Sequence, residues 1–183
     1  MANGIGINDI NSFHLDVLRE IGNIGAGNAA TALAKMLDKK IEMKVPQIRV
    51  MRFSEVSDVL GGVETEVVGI LLGVQGDITG NILFVLDLQS ARLLVNILMG
   101  RSADDMIEFD DMICSALKEV GNILSGSYLS ALSNLTNLRI MAAVPGLAID
   151  MAGAILSVPA IEFGKSSDTV LYIENEFTYG KDS

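Results

Sequence analysis

Between Asn11 and Leu37 apolar residues recur at helical spacing, with Val17, Leu18, Ile21 and Ile24 gathered on one side, which predicts a long amphipathic helix. Asn11 or Ser12 can cap its start, and Asp38-Lys39-Lys40 places cations near its end, where they complement the helix dipole. Residues 41–53 alternate apolar and polar with Pro46 inside; this predicts an edge strand, because proline cannot donate to a ladder. Residues 54–62 form a connection with one helical turn ending at Gly61. Two apolar runs, 66–75 and 81–87, flank a glycine-containing turn and predict a hairpin. Helical periodicity returns from Leu88 to Met99, stops at Gly100, and gives way to a charged linker. A second long helix is expected from about Asp110 to about Ser133, its apolar side carrying Leu117, Val120, Ile123 and Leu124. Residues 136–145 predict a strand ending on Pro145, and 151–164 with 168–177 a second hairpin turning at 164–168. Residues 1–10 lack periodicity and read as a short flexible lead-in.

The two halves share one order: long helix, proline-bearing strand, hairpin. Self-similarity at a period near 100 residues points to a duplicated unit rather than a solenoid. The expected fold class is α+β: a two-layer α/β sandwich with an internal pseudo-twofold, a mainly antiparallel six-stranded sheet, and three helices on one face. One domain is expected over 1–183, with repeat one at about 11–88, a linking helix at about 88–100 and repeat two at about 110–178.

The polar sides of the long helices carry the unusual signal. Asp16, Glu20, Asn23 and Gly27 stand at i, i+4, i+7 and i+11, and Ser115, Glu119, Asn122 and Gly126 repeat those offsets 99 residues on. At about 100° per residue, each set spans roughly 60° of circumference, so an acid and an amide share one patch. Glycine also interrupts both helices, at Gly22, Gly25 and Gly27 and at Gly121 and Gly126, although each interior glycine costs about 1 kcal/mol against alanine. Close helix packing and access for another protein's backbone are both adequate reasons, and they can operate on different sides of one helix.

Composition narrows the chemistry. The chain has 183 residues, half of them hydrophobic, and no apolar run long enough for a membrane span. Its formal net charge is −10, it has no tryptophan and few aromatics, and nucleic acid is therefore disfavoured as a partner. One cysteine, Cys114, excludes an internal disulfide, and with one histidine, His14, it cannot build a His/Cys zinc site. His14 reads as a helix-start residue and Cys114 as a small apolar filler. The N-terminal residues lack the basic start and apolar run of a signal peptide, so a cytoplasmic location is expected.

Two familiar motifs fail on context. Gly25, Gly27 and Ala30 fit a dinucleotide fingerprint, but no buried strand precedes them and the second copy loses the first glycine. No Ser or Cys of the stripes has a histidine at matching places in both halves, so a nucleophilic triad is not indicated. A small-molecule enzyme using Glu20 or Glu119 as a base would need a concave pocket around it. A Glu beside a neutral amide can instead pair with a cation and hold a water, which is what phosphoryl transfer requires when the electrophile brings its own metal and charge clamps.

The residues resemble the CheC/CheX/FliY family of chemotaxis phosphatases, most of all its CheC members. The family motif is an Asp or Ser, three residues, Glu, two residues, Asn, twenty-two residues and Pro. Asp16, Glu20, Asn23 and Pro46 fit it, as do Ser115, Glu119, Asn122 and Pro145. CheX proteins keep one such motif, and FliY proteins add a flagellar switch domain. The resemblance implies hydrolysis of the aspartyl phosphate of CheY. Asn23 or Asn122 would orient the attacking water, and Glu20 or Glu119 would pair with the regulator's lysine. It implies no cofactor of the chain's own, since magnesium would come with phosphorylated CheY, and a second partner in the deamidase CheD. Asp16 and Ser115 would shape the helices and the prolines would be structural. A monomer is expected. The alternative is a non-catalytic module that sequesters CheY or CheD.

Overall fold

Two 26-residue helices, α1 (Ser12–Leu37) and α4 (Asp111–Thr136), organise the computed structural model, which describes residues 11–45, 47–163 and 168–180. Each begins on a side chain that satisfies an otherwise orphaned backbone donor. Asn11 accepts from the His14 amide at 3.1 Å while His14 Nδ1 accepts from the Asn11 amide, and Asp110 accepts from the Ile113 amide at 2.8 Å. Each ends on a left-handed residue, Asp38 (φ 50°) and Asn137 (φ 57°), again 99 positions apart. His14 is thus a capping residue. Cys114 is half-buried, its Sγ 3.8 Å from the Phe109 carbonyl oxygen.

After α1 come β1 (Lys40–Lys44), β2 (Ile48–Arg52), α2 (Phe53–Val59), β3 (Glu66–Gly76), β4 (Gly80–Asp87) and α3 (Leu88–Leu98). After α4 come β5 (Ile140–Ala142), β6 (Gly146–Met151), α5 (Ala152–Phe163), β7 (Thr169–Ile173) and β8 (Glu176–Gly180). The β3–β4 hairpin and the linking helix form where periodicity placed them, and the pairings are antiparallel. The expected lead-in at 1–10, Pro46 and the turn at 164–167 lie outside the described residues.

Three expectations are corrected. Among the described residues the six-stranded sheet is replaced by eight strands in three sheets: β1 with β8, β2 with β7, and β3 with β4, β5 and β6. The second hairpin does not form, because 152–163 is a helix and β7 and β8 pair with β2 and β1 instead of each other. Nor do the helices keep to one face. Val68, Ile70 and Leu72 of β3 enter a core with Leu33, Val95, Leu117 and Val120 from α1, α3 and α4, while Val67 packs with Ala152 and Ile155 of α5 on the other side. A strand covered on both faces is apolar at consecutive positions, as β3 is. Burying each of Leu33, Ile70, Leu72 and Leu117 contributes about 1.5–3 kcal/mol.

The strand pairings repeat in detail. Leu71 faces Gly146 and Val74 faces Ala142, so three steps along β3 match four along the β6–β5 arm. Ile173 faces Ile48 and Glu176 faces Lys44, so three steps along β7–β8 match four along the β2–β1 arm. The extra residue falls on the proline-bearing arm both times. β7 and β8 together therefore occupy the place that the single long β3 holds in the other half.

Candidate functional site: two exposed acid and amide stripes

The long helices divide their circumference between packing and solvent. The buried side of α1 consists largely of small residues, Gly22, Gly25, Ala26, Ala29 and Ala30, with Ile21 and Leu33. A Cβ added at Gly25 would lie 2.5 Å from Cδ1 of Tyr128 on α4, so the absent side chain is what lets the two helices close on each other. Gly22 faces Val45 and Ile48, and a Cβ at Gly121 would lie 2.7 Å from Ile70. Gly27 and Gly126 are different: both are exposed and nothing lies within 4 Å of an added Cβ. Packing thus accounts for Gly22, Gly25 and Gly121, and leaves the glycine that ends each stripe open.

Asp16, Glu20 and Asn23 of α1 and Ser115, Glu119 and Asn122 of α4 are all exposed. Each helix brings its Glu and Asn together one turn apart on one patch, while the two patches stay on separate helices. Asp16 forms an ion pair with Arg19 at 2.9 Å on its own helix. The side chains of Glu20, Asn23, Glu119 and Asn122 make no hydrogen bond or ion pair with any described residue, so their polar groups are held outward with capacity to spare. Neither the groove of about 820 Å³ beside β1 nor the apolar crevice of about 730 Å³ under the helices is lined by any of these four. That disfavours a small-molecule site built around Glu20 or Glu119. Pro145 is half-buried between β5 and β6.

Periodicity misplaced part of the apolar side. Val17 and Ile24 are 43% and 37% exposed, and with Phe13, 70% exposed, they form an apolar edge along Glu20. Met112 stands 99 residues after Phe13 and is 64% exposed, so each stripe opens on a large apolar side chain seven residues before its Glu. The shared offset was the available signal; an apolar residue in an amphipathic pattern otherwise reads as core.

Tyr128 joins α4 to the segment between β7 and β8 by donating its hydroxyl to Asn175 Oδ1. Burial pushes its phenol up to about 12.

The model of the CheC-like family matches residues 13–49 and 112–149, the segments of the two long helices and following strands that hold both stripes. The chain belongs to this family. It is 38% identical over 169 residues to CheY-P phosphatase CheC of Bacillus subtilis, a match covering 91% of this chain and 81% of that protein. It is 26% identical to flagellar motor switch phosphatase FliY of the same organism over 73% of this chain and 35% of that longer protein. Among solved structures, Thermotoga maritima FliY superposes with a TM-score of 0.76 at 26% identity, over 93% of this chain and 85% of that one. No described helix is long and apolar enough to cross a membrane.

Proposed function

We propose that this chain is a chemotaxis phosphatase that hydrolyses the aspartyl phosphate of CheY, using two similar sites contributed by a duplicated unit. The observation that carries the reading is the pair of Glu and Asn side chains, exposed and without a partner among the described residues on both long helices, in a chain 38% identical to a CheY-P phosphatase. A carboxamide donates and accepts, so Asn23 or Asn122 can hold a water by both of its hydrogen-bonding functions in line with the phosphorus. Water oxygen bonds to phosphorus, the bond from phosphorus to the aspartyl oxygen breaks, and inorganic phosphate and a free carboxylate leave. Glu20 or Glu119 pairs with the lysine of the regulator's active site and fixes the approach. Magnesium arrives with phosphorylated CheY, and the chain needs no cofactor of its own. Catalysis here is positioning, as expected where the phosphoryl group already has its charge clamps. CheD is a second partner, and the work is done in the cytoplasm by a monomer.

The repeated capping residues, the repeated one-residue step in the strand pairings and the two stripes all support the duplication. Sequestration of CheY without catalysis needs the same ridges but no turnover. With phosphorylated CheY in large excess, catalytic amounts of the chain are expected to release phosphate until the regulator is exhausted. Phosphate release no faster than the regulator's own decay, with CheY bound at one or two equivalents per chain, would instead establish the sequestering module.

A further inference from the structure

Four of the seven lysines, Lys35, Lys39, Lys40 and Lys44, fall within ten residues where α1 passes into β1. They line an open groove of about 820 Å³ together with Gly27, Thr31, Asp38 and Glu42. Lys40 pairs with Glu42 at 3.2 Å, while Lys35, Lys39 and Lys44 make no ion pair with a described residue. A concentration of free cations is conspicuous in a chain of net charge −10.

The groove also continues the first stripe. Gly27 follows Asn23 by one turn on the same face, and Thr31 and Lys35 follow at further steps of four, so Glu20 to Lys35 is one exposed ridge of roughly 20 Å at 1.5 Å per residue. Along this ridge Gly27, which has no side chain, and the short Thr31 stand between Asn23 and Lys35. The second ridge has no such extension. The positions 99 residues on are Asn134, Leu138, Arg139 and Ala143, with exposed Leu135, Met141 and Val144 nearby.

We propose that this basic groove docks an acidic face of the phosphorylated partner protein beside the first stripe only, so that the two stripes engage the same partner with different strength and different salt dependence. The inference rests on the two-site reading above and specifies what each site recognises. Gly27, one turn beyond Asn23, lines the groove, so a partner docked there reaches the first stripe, and Asp38 and Glu42 between the lysines suit a mosaic of side chains better than the uniform anionic backbone of a nucleic acid or a lipid surface.

The test isolates each stripe. Asn122→Ala leaves the first active and Asn23→Ala the second, and phosphate release from phosphorylated CheY is followed as salt is raised. KM of the first is expected to climb steeply with salt and that of the second to stay nearly level. Lys35→Gln/Lys39→Gln/Lys44→Gln should raise KM about tenfold at low salt in the Asn122→Ala background with kcat unchanged, and leave the Asn23→Ala background alone. Equal salt dependence of the two stripes, or a triple variant without effect on the first, would overturn the proposal. Binding of beryllofluoride-activated CheY, measured without turnover, separates the claims: a binding loss in the triple variant supports the groove even if the Asn→Ala variants keep full turnover, which would sink the water-orienting role alone. Loss of binding to anionic vesicles or duplex DNA, with CheY binding intact, would assign the groove to those surfaces instead.

Discussion

At the residue scale the same amino acid does opposite things two positions apart on one helix. Gly25 is where Tyr128 presses on the backbone, and Gly27, two positions later, faces open space. Gly25→Ala should therefore destabilise the protein by about 1–3 kcal/mol, the usual range for overpacking. Gly27→Ala should stabilise it by roughly 0.5–1 kcal/mol, through the helix preference of alanine alone. Denaturant midpoints of the two variants check this directly, and equal shifts of the same sign would contradict the division of roles. The exposed stripe was legible before any coordinates because polar residues at i, i+4 and i+7 have no reason to recur 99 residues later in a purely structural helix. The exposure of Val17 and Ile24 was not legible, since it leaves no mark on periodicity, and for Phe13 and Met112 the shared offset of 99 was the one signal. The buried side of α1 proved to be largely glycine and alanine, which hydrophobic patterning underweights.

At the element scale, the long helices, the β3–β4 hairpin and α3 followed from periodicity, capping and glycine turns, all local signals. The failures are elements whose identity depends on distant partners. Residues 152–163 are a short, almost wholly apolar run containing Pro159, and such a run serves as buried strand or buried helix equally well until something covers it. The pairing of β7 and β8 with β2 and β1, instead of with each other, is likewise a choice between partners more than 100 residues apart. Tyr128 monitors that region, because it ties α4 to the junction of β7 and β8. Below pH 10 its phenol is protonated in both folded and unfolded chains. As pH rises toward about 12, the unfolded chain gives up that proton while the buried phenol keeps it, so stability falls across this window. Tyr128→Phe should flatten the decline, read as the thermal midpoint across that pH range. Tyr172, raised by burial and by the nearby charge of Glu174, adds to the slope in the same direction.

For the whole molecule, the likeness of the two halves sets the logic. Both halves run long helix, two strands, helix, then strand, and both long helices turn an acid and an amide outward while their small-residue and apolar faces close the core. On the function proposed above, these two chemically spare patches would leave the partner to bring the phosphoryl group, the metal and the lysine. Mutating one stripe should then leave the other working: Asn23→Ala and Asn122→Ala are each expected to retain part of the phosphatase activity, in shares set by the groove beside the first. The central claim is the water-orienting amide, and the rate of phosphate release from phosphorylated CheY with Asn23→Ala/Asn122→Ala tests it most directly. Loss of the positioned amides should lower turnover by about 10²-fold or more, the scale of removing one preorganised hydrogen-bonding group, while binding of CheY persists. Turnover by the double variant at the rate of the unaltered chain would contradict it.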